Sequence, residues 1–223
     1  MKKFFTAIVA LMLAAPSFAQ YSSGGFELDK QNLYYGVRLG MTVASLGGDD
    51  LKEVSSGSKV GMTLGAVVGL RVSESTPLFL ESGLYYTERG AKDVGYTNLE
   101  IPLLIKYGFK ATDDIAVLPF VGPYFSRAGW GKAKIKGDYS GTNKTTKVGT
   151  FAEEKWTGLS RLNMGFKIGC AAEYNKLYVE IGYQIGITDI SKNGGTEDIK
   201  NLYKGEDHTV RSNAFFANFG VNF

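Results

Sequence analysis

Cysteine and histidine are almost missing from the chain: Cys170 and His208 are the only ones. One cysteine cannot close an internal disulfide, and one of each leaves no His/Cys cluster to hold a metal ion. An excess of either charge is lacking too. The formal net charge is +3, with Lys2 and Lys3 at the very start, so no nucleic-acid footprint is present. The leading apolar stretch, Phe4–Ala15, falls short of the roughly 20 residues a membrane-crossing helix needs. No glycine-rich phosphate loop stands between a strand and a helix. The Gly-x-Gly spacings fit strand alternation instead.

What is present is apolar and glycine-rich. The 223 residues are 44% hydrophobic and 13% aromatic, with 29 glycines. That composition suits one ordered domain rather than a disordered chain. A mean hydropathy close to zero argues against helical membrane spans. It says nothing against a barrel, whose strands are only half apolar.

The first residues read as a secretory leader. Lys2 and Lys3 precede the apolar core Phe4–Ala15, and Pro16-Ser17-Phe18-Ala19 supplies small residues at the cleavage positions. Residues 1–19 are thus expected to be a signal peptide, with Gln20 the first mature residue. Residues 20–32 form a polar lead-in without periodicity, expected to be flexible. No cysteine follows the cleavage site, so a lipid anchor there is not expected.

Residues 33–223 are dominated by period-two alternation, the mark of strands with two unlike faces. In the last stretch, Asn213–Phe223, the residues Ala217, Phe219, Val221 and Phe223 share one face, and Asn218, Gly220 and Asn222 share the other. A strand that alternates to the final residue is expected to be paired on both edges, as in a closed barrel. Leu33–Val43 puts Tyr35, Val37, Leu39, Met41 and Val43 on one side and Gly36, Arg38, Gly40 and Thr42 on the other. Lys59–Val72 repeats this with Gly61, Thr63, Gly65, Gly69 and Arg71 inward. Leu78–Arg89 sets Glu81, Gly83, Tyr85, Thr87 and Arg89 inward, and Tyr96–Phe109 sets Asn98, Glu100, Pro102, Lys106 and Gly108 inward. Ile115–Trp130, Leu162–Tyr174 (Asn163, Gly165, Lys167, Gly169 and Glu173 inward) and Leu177–Ile190 complete the set. Several of these stretches exceed the roughly 5–6 residues of a soluble sandwich strand and approach the roughly 9–11 of a tilted membrane strand. Pro102 has no N–H to give a ladder and should sit at a bulged or unbonded position.

Three segments carry a family resemblance. Asn98-Leu99-Glu100-Ile101-Pro102-Leu103-Leu104-Ile105-Lys106-Tyr107 is similar to the Leu-Glu-Ile-Pro-Leu-Leu-x-Lys-Tyr strand of PorT-like outer-membrane β-barrels of Bacteroides-type Gram-negative bacteria. Pro119-Phe120-Val121-Gly122-Pro123-Tyr124 resembles that family's Pro-Tyr-x-Gly-x-Gly-Pro-Tyr segment with one glycine missing. Glu180, Tyr183, Gly186, Thr188, Asp189 and Ile190 match its Glu-x-x-Tyr-x-x-Gly-Leu-Thr-(Asp/Asn)-Ile strand, with Ile187 where leucine is usual. The resemblance implies an outer-membrane location and, for PorT itself, a role in secretion.

The fold expected is therefore all-β: an eight-stranded antiparallel up-and-down transmembrane barrel. Short turns at Ser73–Pro77, Lys110–Asp114 and Asn175-Lys176 alternate with long loops at Leu46–Ser58, Gly131–Gly158 and Ser191–Val210, with Gly90–Gly95 intermediate. In such barrels the short turns face the periplasm, which puts both termini there. Tyr35, Tyr107, Phe109, Tyr174 and Phe223 would then line the periplasmic rim, and Tyr86, Trp130 and Trp156 the outer one. Phe219, Val221 and Phe223 are the candidate signal read by the barrel-assembly machinery.

The inward charges are Arg38, Arg71, Lys106 and Lys167 against Glu81, Glu100, Glu173 and Glu180, a balance of signs. An eight-stranded lumen is just wide enough for side chains to fill, so these are expected to form a paired plug, a proton or ion path being the alternative. Catalysis has little to rest on: Asp207, His208 and Ser212 could make a Ser/His/Asp set only if a loop folded them together. No enzyme and no cofactor is expected. The partners expected are outer-membrane lipid and the assembly machinery, with an extracellular ligand open. Three roles remain: structural or surface interaction through the loops, accessory secretion, or a narrow channel.

Overall fold

The computed structural model describes residues 32–47, 57–91, 94–112, 114–137, 144–149, 161–189 and 211–223. Every regular element among them is a strand: β1 (Leu33–Gly47), β2 (Lys59–Arg71), β3 (Leu78–Ala91), β4 (Val94–Tyr107), β5 (Phe109–Lys110), β6 (Ile115–Gly137), β7 (Lys144–Gly149), β8 (Leu162–Tyr174), β9 (Leu177–Gly186) and β10 (Arg211–Asn222). All pairings are antiparallel. The order β4-β3-β2-β1-β10-β9-β8-β6 closes on itself because β4 also pairs with β6, which makes an eight-stranded barrel. No helix among the described residues is long and apolar enough to cross a membrane.

Closure depends on β1 and β10, which run side by side from Gly36 opposite Asn222 to Gly47 opposite Arg211. Tyr35 and Phe223 continue the ladder with reciprocal backbone bonds of 3.2 and 2.8 Å. No strand edge is left at this seam, which suits a wall that must span hydrocarbon.

Alternation sorts the side chains. Leu39, Met41, Val60, Val68, Leu84, Ile101, Phe125, Ile168, Ile181 and Phe219 are exposed on the outside. Each barrel strand contributes to this apolar surface, far beyond the few hundred Å² that a soluble monomer leaves uncovered. The lumen side holds the polar residues together with an apolar cluster of Tyr34, Phe79, Leu104, Ala116, Leu118, Phe120, Ala171, Tyr178 and Phe216. Most of that cluster lies near the end where the tight turns are.

Several strand limits differ from the sequence reading. The expected strand over 96–109 breaks at Gly108, whose N–H goes to the Pro77 carbonyl at 2.8 Å in the neighbouring turn, leaving β5 as a two-residue remnant. β1 continues through Gly47, into the expected loop 46–58. β3 and β4 continue to Ala91 and Val94, which stand opposite each other, so most of the expected 90–95 connection belongs to the two strands. β6 runs on to Gly137 and pairs with β7, so part of the expected loop 131–158 is a two-stranded ribbon. β9 ends at Gly186 rather than 190, because Gly186 N–H is taken by the Asn213 side chain at 3.1 Å and Ile187 N–H by Met164 at 2.9 Å. Opposite Pro102 the β3–β4 ladder skips from Ser82–Leu103 to Tyr85–Glu100, and the Ser82 hydroxyl donates to the Pro102 carbonyl at 2.8 Å.

Candidate functional site: the filled lumen

The lumen is built from side chains that alternate with the apolar exterior. Two glutamates, Glu81 on β3 and Glu100 on β4, are its centres, and neither is exposed. Charged groups at this depth survive only if opposite charges and hydrogen bonds surround them.

Nearer the tight-turn end, Glu81 accepts from Lys106 Nζ at 2.7 Å and from the Tyr34 hydroxyl at 2.7 Å, with Arg38 at 3.6 Å. Arg38 also donates to Asn222 Oδ1 at 2.6 Å and lies 3.7 Å from the centroid of the Tyr178 ring, a cation–π contact. The chain of partners continues: Lys106 donates to the Tyr178 hydroxyl at 2.6 Å, and that hydroxyl to Glu180 at 2.8 Å. Asn218 reaches the other oxygen of Glu180 at 2.7 Å, and Asn222 donates to Glu173 at 2.9 Å. Glycine makes room for these groups. A Cβ on Gly69 would overlap Tyr34 Cζ, so only hydrogen fits beneath that ring.

Toward the long-loop end, Glu100 accepts from Arg89 at 2.5 Å and pairs with Lys167 through its other oxygen. Gln184 donates to both carboxylate oxygens at 3.0 Å, and its own oxygen accepts from Arg89. Lys167 lies over Tyr85 and Phe216, and Arg89 over Tyr124. The Phe120 and Phe216 rings, 6.3 Å apart, stand between the two centres, with Lys106 over Phe120 and Lys167 over Phe216. Beyond Glu100 the wall is polar and buried, with Thr63, Thr87, Asn98, Ser126 and Asn163.

The residues picked from the sequence are placed as follows. Arg38, Glu81 and Lys106 meet in one network; Glu100 and Lys167 meet in the other; Glu173 and Glu180 are held by Asn222 and by Asn218 with Tyr178. Arg71 is half-buried at the end of β2, with its Nε donating to the Ser73 carbonyl at 2.8 Å. Arg89, assigned inward but not among the charges expected to pair, is fully buried beside Glu100. Among the described residues the fully or nearly buried charges are Arg38, Arg89, Lys106 and Lys167 against Glu81, Glu100, Glu173 and Glu180, so the signs again balance. Gln184, Tyr34 and Tyr178 are not among the residues picked from the sequence, although Gln184 lies on the same face as Glu180, four residues on.

Among the aromatics, Tyr35 stacks on Phe223 with centroids 5.8 Å apart, and Tyr107 lies 4.6 Å from Phe109. Tyr174 is exposed beside the Asn175-Lys176 turn, Tyr86 is half-buried, and Trp130 is 70% exposed. Trp156, Asp207 and His208 lie outside the described residues. Ser212 faces the lumen, where the Tyr96 hydroxyl donates to it at 3.0 Å. Among the described residues no His/Cys/Asp/Glu group could hold a metal ion.

The barrel resembles Neisserial surface protein A, at 18% identity over 86% of this chain and 98% of that one, with a TM-score of 0.41. It also resembles a major outer membrane protein of Thermus thermophilus (12% identity, 86% and 100% covered, TM-score 0.47) and the Yersinia pestis attachment invasion locus protein Ail (10%, 86% and 100%, 0.39). No curated protein matches the chain in sequence. The model of the outer membrane protein beta-barrel domain matches residues 5–223, and the chain belongs to that family.

Proposed function

We propose that this protein is a small integral outer-membrane barrel whose lumen is sealed by its own side chains and whose work is done at its surface, as a structural or interaction protein acting through the long loops. The observation that carries this reading is the pair of charge networks around Glu81 and Glu100, with neither glutamate exposed. Lumen charges paired with one another favour a seal over a transport path, and an eight-stranded barrel has little width to spare. The reading is non-enzymatic. Ser212 supports it, since its hydroxyl is turned into the lumen against Tyr96.

Accessory secretion is the second reading, and it rests on the PorT-like segments in β4, β6 and β9. The two separate in cells lacking the gene. A surface role predicts an unchanged set of secreted proteins and altered binding to surfaces or other cells. Loss of secreted proteins, with the outer membrane otherwise intact, would overturn it in favour of secretion. Location is checked in the same strain complemented with the gene: heat-modifiable gel migration in the outer-membrane fraction is expected, and folded protein in the soluble periplasm would contradict it.

A further inference from the structure

The buried charges of the lumen balance over its whole length but not level by level. Around Glu81 two cations, Arg38 and Lys106, stand against three carboxylates, Glu81, Glu173 and Glu180. Around Glu100 two cations, Arg89 and Lys167, share one. Among the described residues, Glu100 is the only carboxylate that the strands turn into the lumen from its own level toward the long loops. The Phe120 and Phe216 rings stand between the two levels, so the upper one holds a surplus positive charge away from water. Such a surplus is costly unless an anion joins it.

Hydrogen bonding is unbalanced at the same level and in the same sense. Thr63 on β2 stands opposite Thr87 on β3, and Thr87 opposite Asn98 on β4, so three lumen-facing side chains form one row across neighbouring strands. None is more than 3% exposed, and Thr63 Oγ1, Thr87 Oγ1 and Asn98 Nδ2 make no hydrogen bond. Arg89, two residues beyond Thr87 on the same face, uses Nη2 for Glu100 and Gln184 and leaves Nε and Nη1 unbonded. Asn163 on β8, opposite Ser126, adds a buried amide with neither atom bonded. Buried polar groups are nearly always paired. Those left over here are amide and guanidinium nitrogens and hydroxyls, with Asn163 Oδ1 the one pure acceptor among them, so what completes them is an acceptor.

We infer that the row Thr63–Thr87–Asn98, with Arg89 beside it, binds one small oxyanion of phosphate size in the upper lumen. An oxyanion accepts from several donors at once, and its charge offsets the surplus around Glu100. The approach is from the long-loop end, because Tyr34, Phe79, Leu104, Leu118 and Tyr178 fill the other end with apolar surface. On that approach lies Lys59, four residues beyond Thr63 on the same face of β2. A Cβ on Gly95 would overlap its Nζ, so the ammonium reaches past the end of β3 to β4, and it forms no ion pair with a described residue. The inference goes beyond the surface role and does not depend on which side of the membrane this end faces.

The test uses the full-length protein in detergent micelles, its fold checked by heat-modifiable migration, with radiolabelled inorganic phosphate in equilibrium dialysis at low ionic strength. One phosphate per barrel is expected. Thr63→Val with Thr87→Val keeps the branched shapes and removes both hydroxyls, and should weaken binding by roughly 10- to 100-fold. Thr63→Ser with Thr87→Ser should restore it. No binding by the wild type, or undiminished binding by the valine variant, would overturn the inference and leave these groups to ordered water. Glucose 6-phosphate as competitor separates the sources. Displacement of the label admits phosphate groups carried on larger molecules, failure to displace restricts the site to the free ion, and both uphold it.

Stability supplies a readout that a purely structural role for the hydroxyls would not. Because neither has a partner within the chain, the valine variant should unfold in phosphate-free buffer at the same urea concentration as the wild type or a higher one. Phosphate should raise the wild-type midpoint and leave the variant's unchanged. A variant midpoint that falls without phosphate would make the hydroxyls structural and overturn the site. A barrel that binds no phosphate yet passes no current loses this inference and keeps the sealed lumen.

Discussion

Lys106 and Glu81, on neighbouring strands, meet inside the barrel at 2.7 Å with neither side chain exposed to solvent. Their pairing is diagonal, since Lys106 stands opposite Phe79 and Glu81 opposite Leu104 in the ladder. Breaking such a pair from one side leaves a buried charge uncompensated, at about 3–5 kcal/mol. Lys106→Met is therefore expected to lower stability by about that amount. A neutral double variant, Lys106→Met with Glu81→Gln, should recover part of the loss, because it removes the desolvation cost of both charges while the new side-chain oxygen at position 81 can still accept from Arg38. Urea titration followed by heat-modifiable migration checks both, and a double variant weaker than the single one would contradict the pairing.

Glu100 is shared by two cations, Arg89 and Lys167, so its loss should be the more severe. Glu100→Ala leaves two buried positive charges facing each other across the space it filled. The expected result is a drop in unfolding midpoint larger than that of Glu173→Ala, whose side chain is held by the neutral amide of Asn222. Equal effects of the two substitutions would show that Glu100 is not a centre of the network.

Gly69 lies under the Tyr34 ring, whose hydroxyl donates to Glu81. Gly69→Ala forces that ring to move and pulls its hydroxyl from the carboxylate. Overpacking of this kind costs about 1–3 kcal/mol. Gly129→Ala, where the nearest atom to the new Cβ is Thr97 Oγ1 at 3.4 Å, should be tolerated far better. Comparing the two unfolding midpoints tests whether close approach, rather than glycine's flexibility, is what Gly69 supplies.

Much of this is open to a reader of the sequence, because a membrane barrel writes its two faces in alternation. The lumen-facing runs in β2 and β8 are legible residue by residue, as are the β8 limits and the Asn175-Lys176 turn. Two features are not. Phe79, Leu104, Leu118, Phe120 and Phe216 face inward, and apolarity alone assigns such residues to lipid, since nothing in composition separates a plug's aromatics from a belt's. The β6–β7 ribbon reads as loop, because lysine, glycine and threonine mark no buried face and the bulge at Gly129–Trp130 breaks the period on which the reading relies. Arg89 shows a subtler limit. Phase sets it inward, but its long side chain reaches back from the row of Tyr96 to Glu100, a contact that spacing along one strand does not reveal.

The Tyr35–Phe223 stack joins the outer faces of β1 and β10 next to their last reciprocal backbone bonds. Phe223→Asp would place a charge on that apolar face and remove the stack. The folded fraction recovered from outer membranes is expected to fall well below that of Phe223→Leu, which keeps the face apolar. Equal recovery of the two would show that the closing seam does not depend on an apolar residue there.

The central claim, that the lumen is filled and closed by its own charges, is tested most directly by single-channel recording of the purified full-length protein in planar bilayers. Little or no conductance is expected, because the charges around Glu81 and Glu100 are buried against one another and an eight-stranded lumen is just wide enough for side chains to fill. Steady, large single-channel currents from the unmodified protein would contradict it and make the barrel a pore.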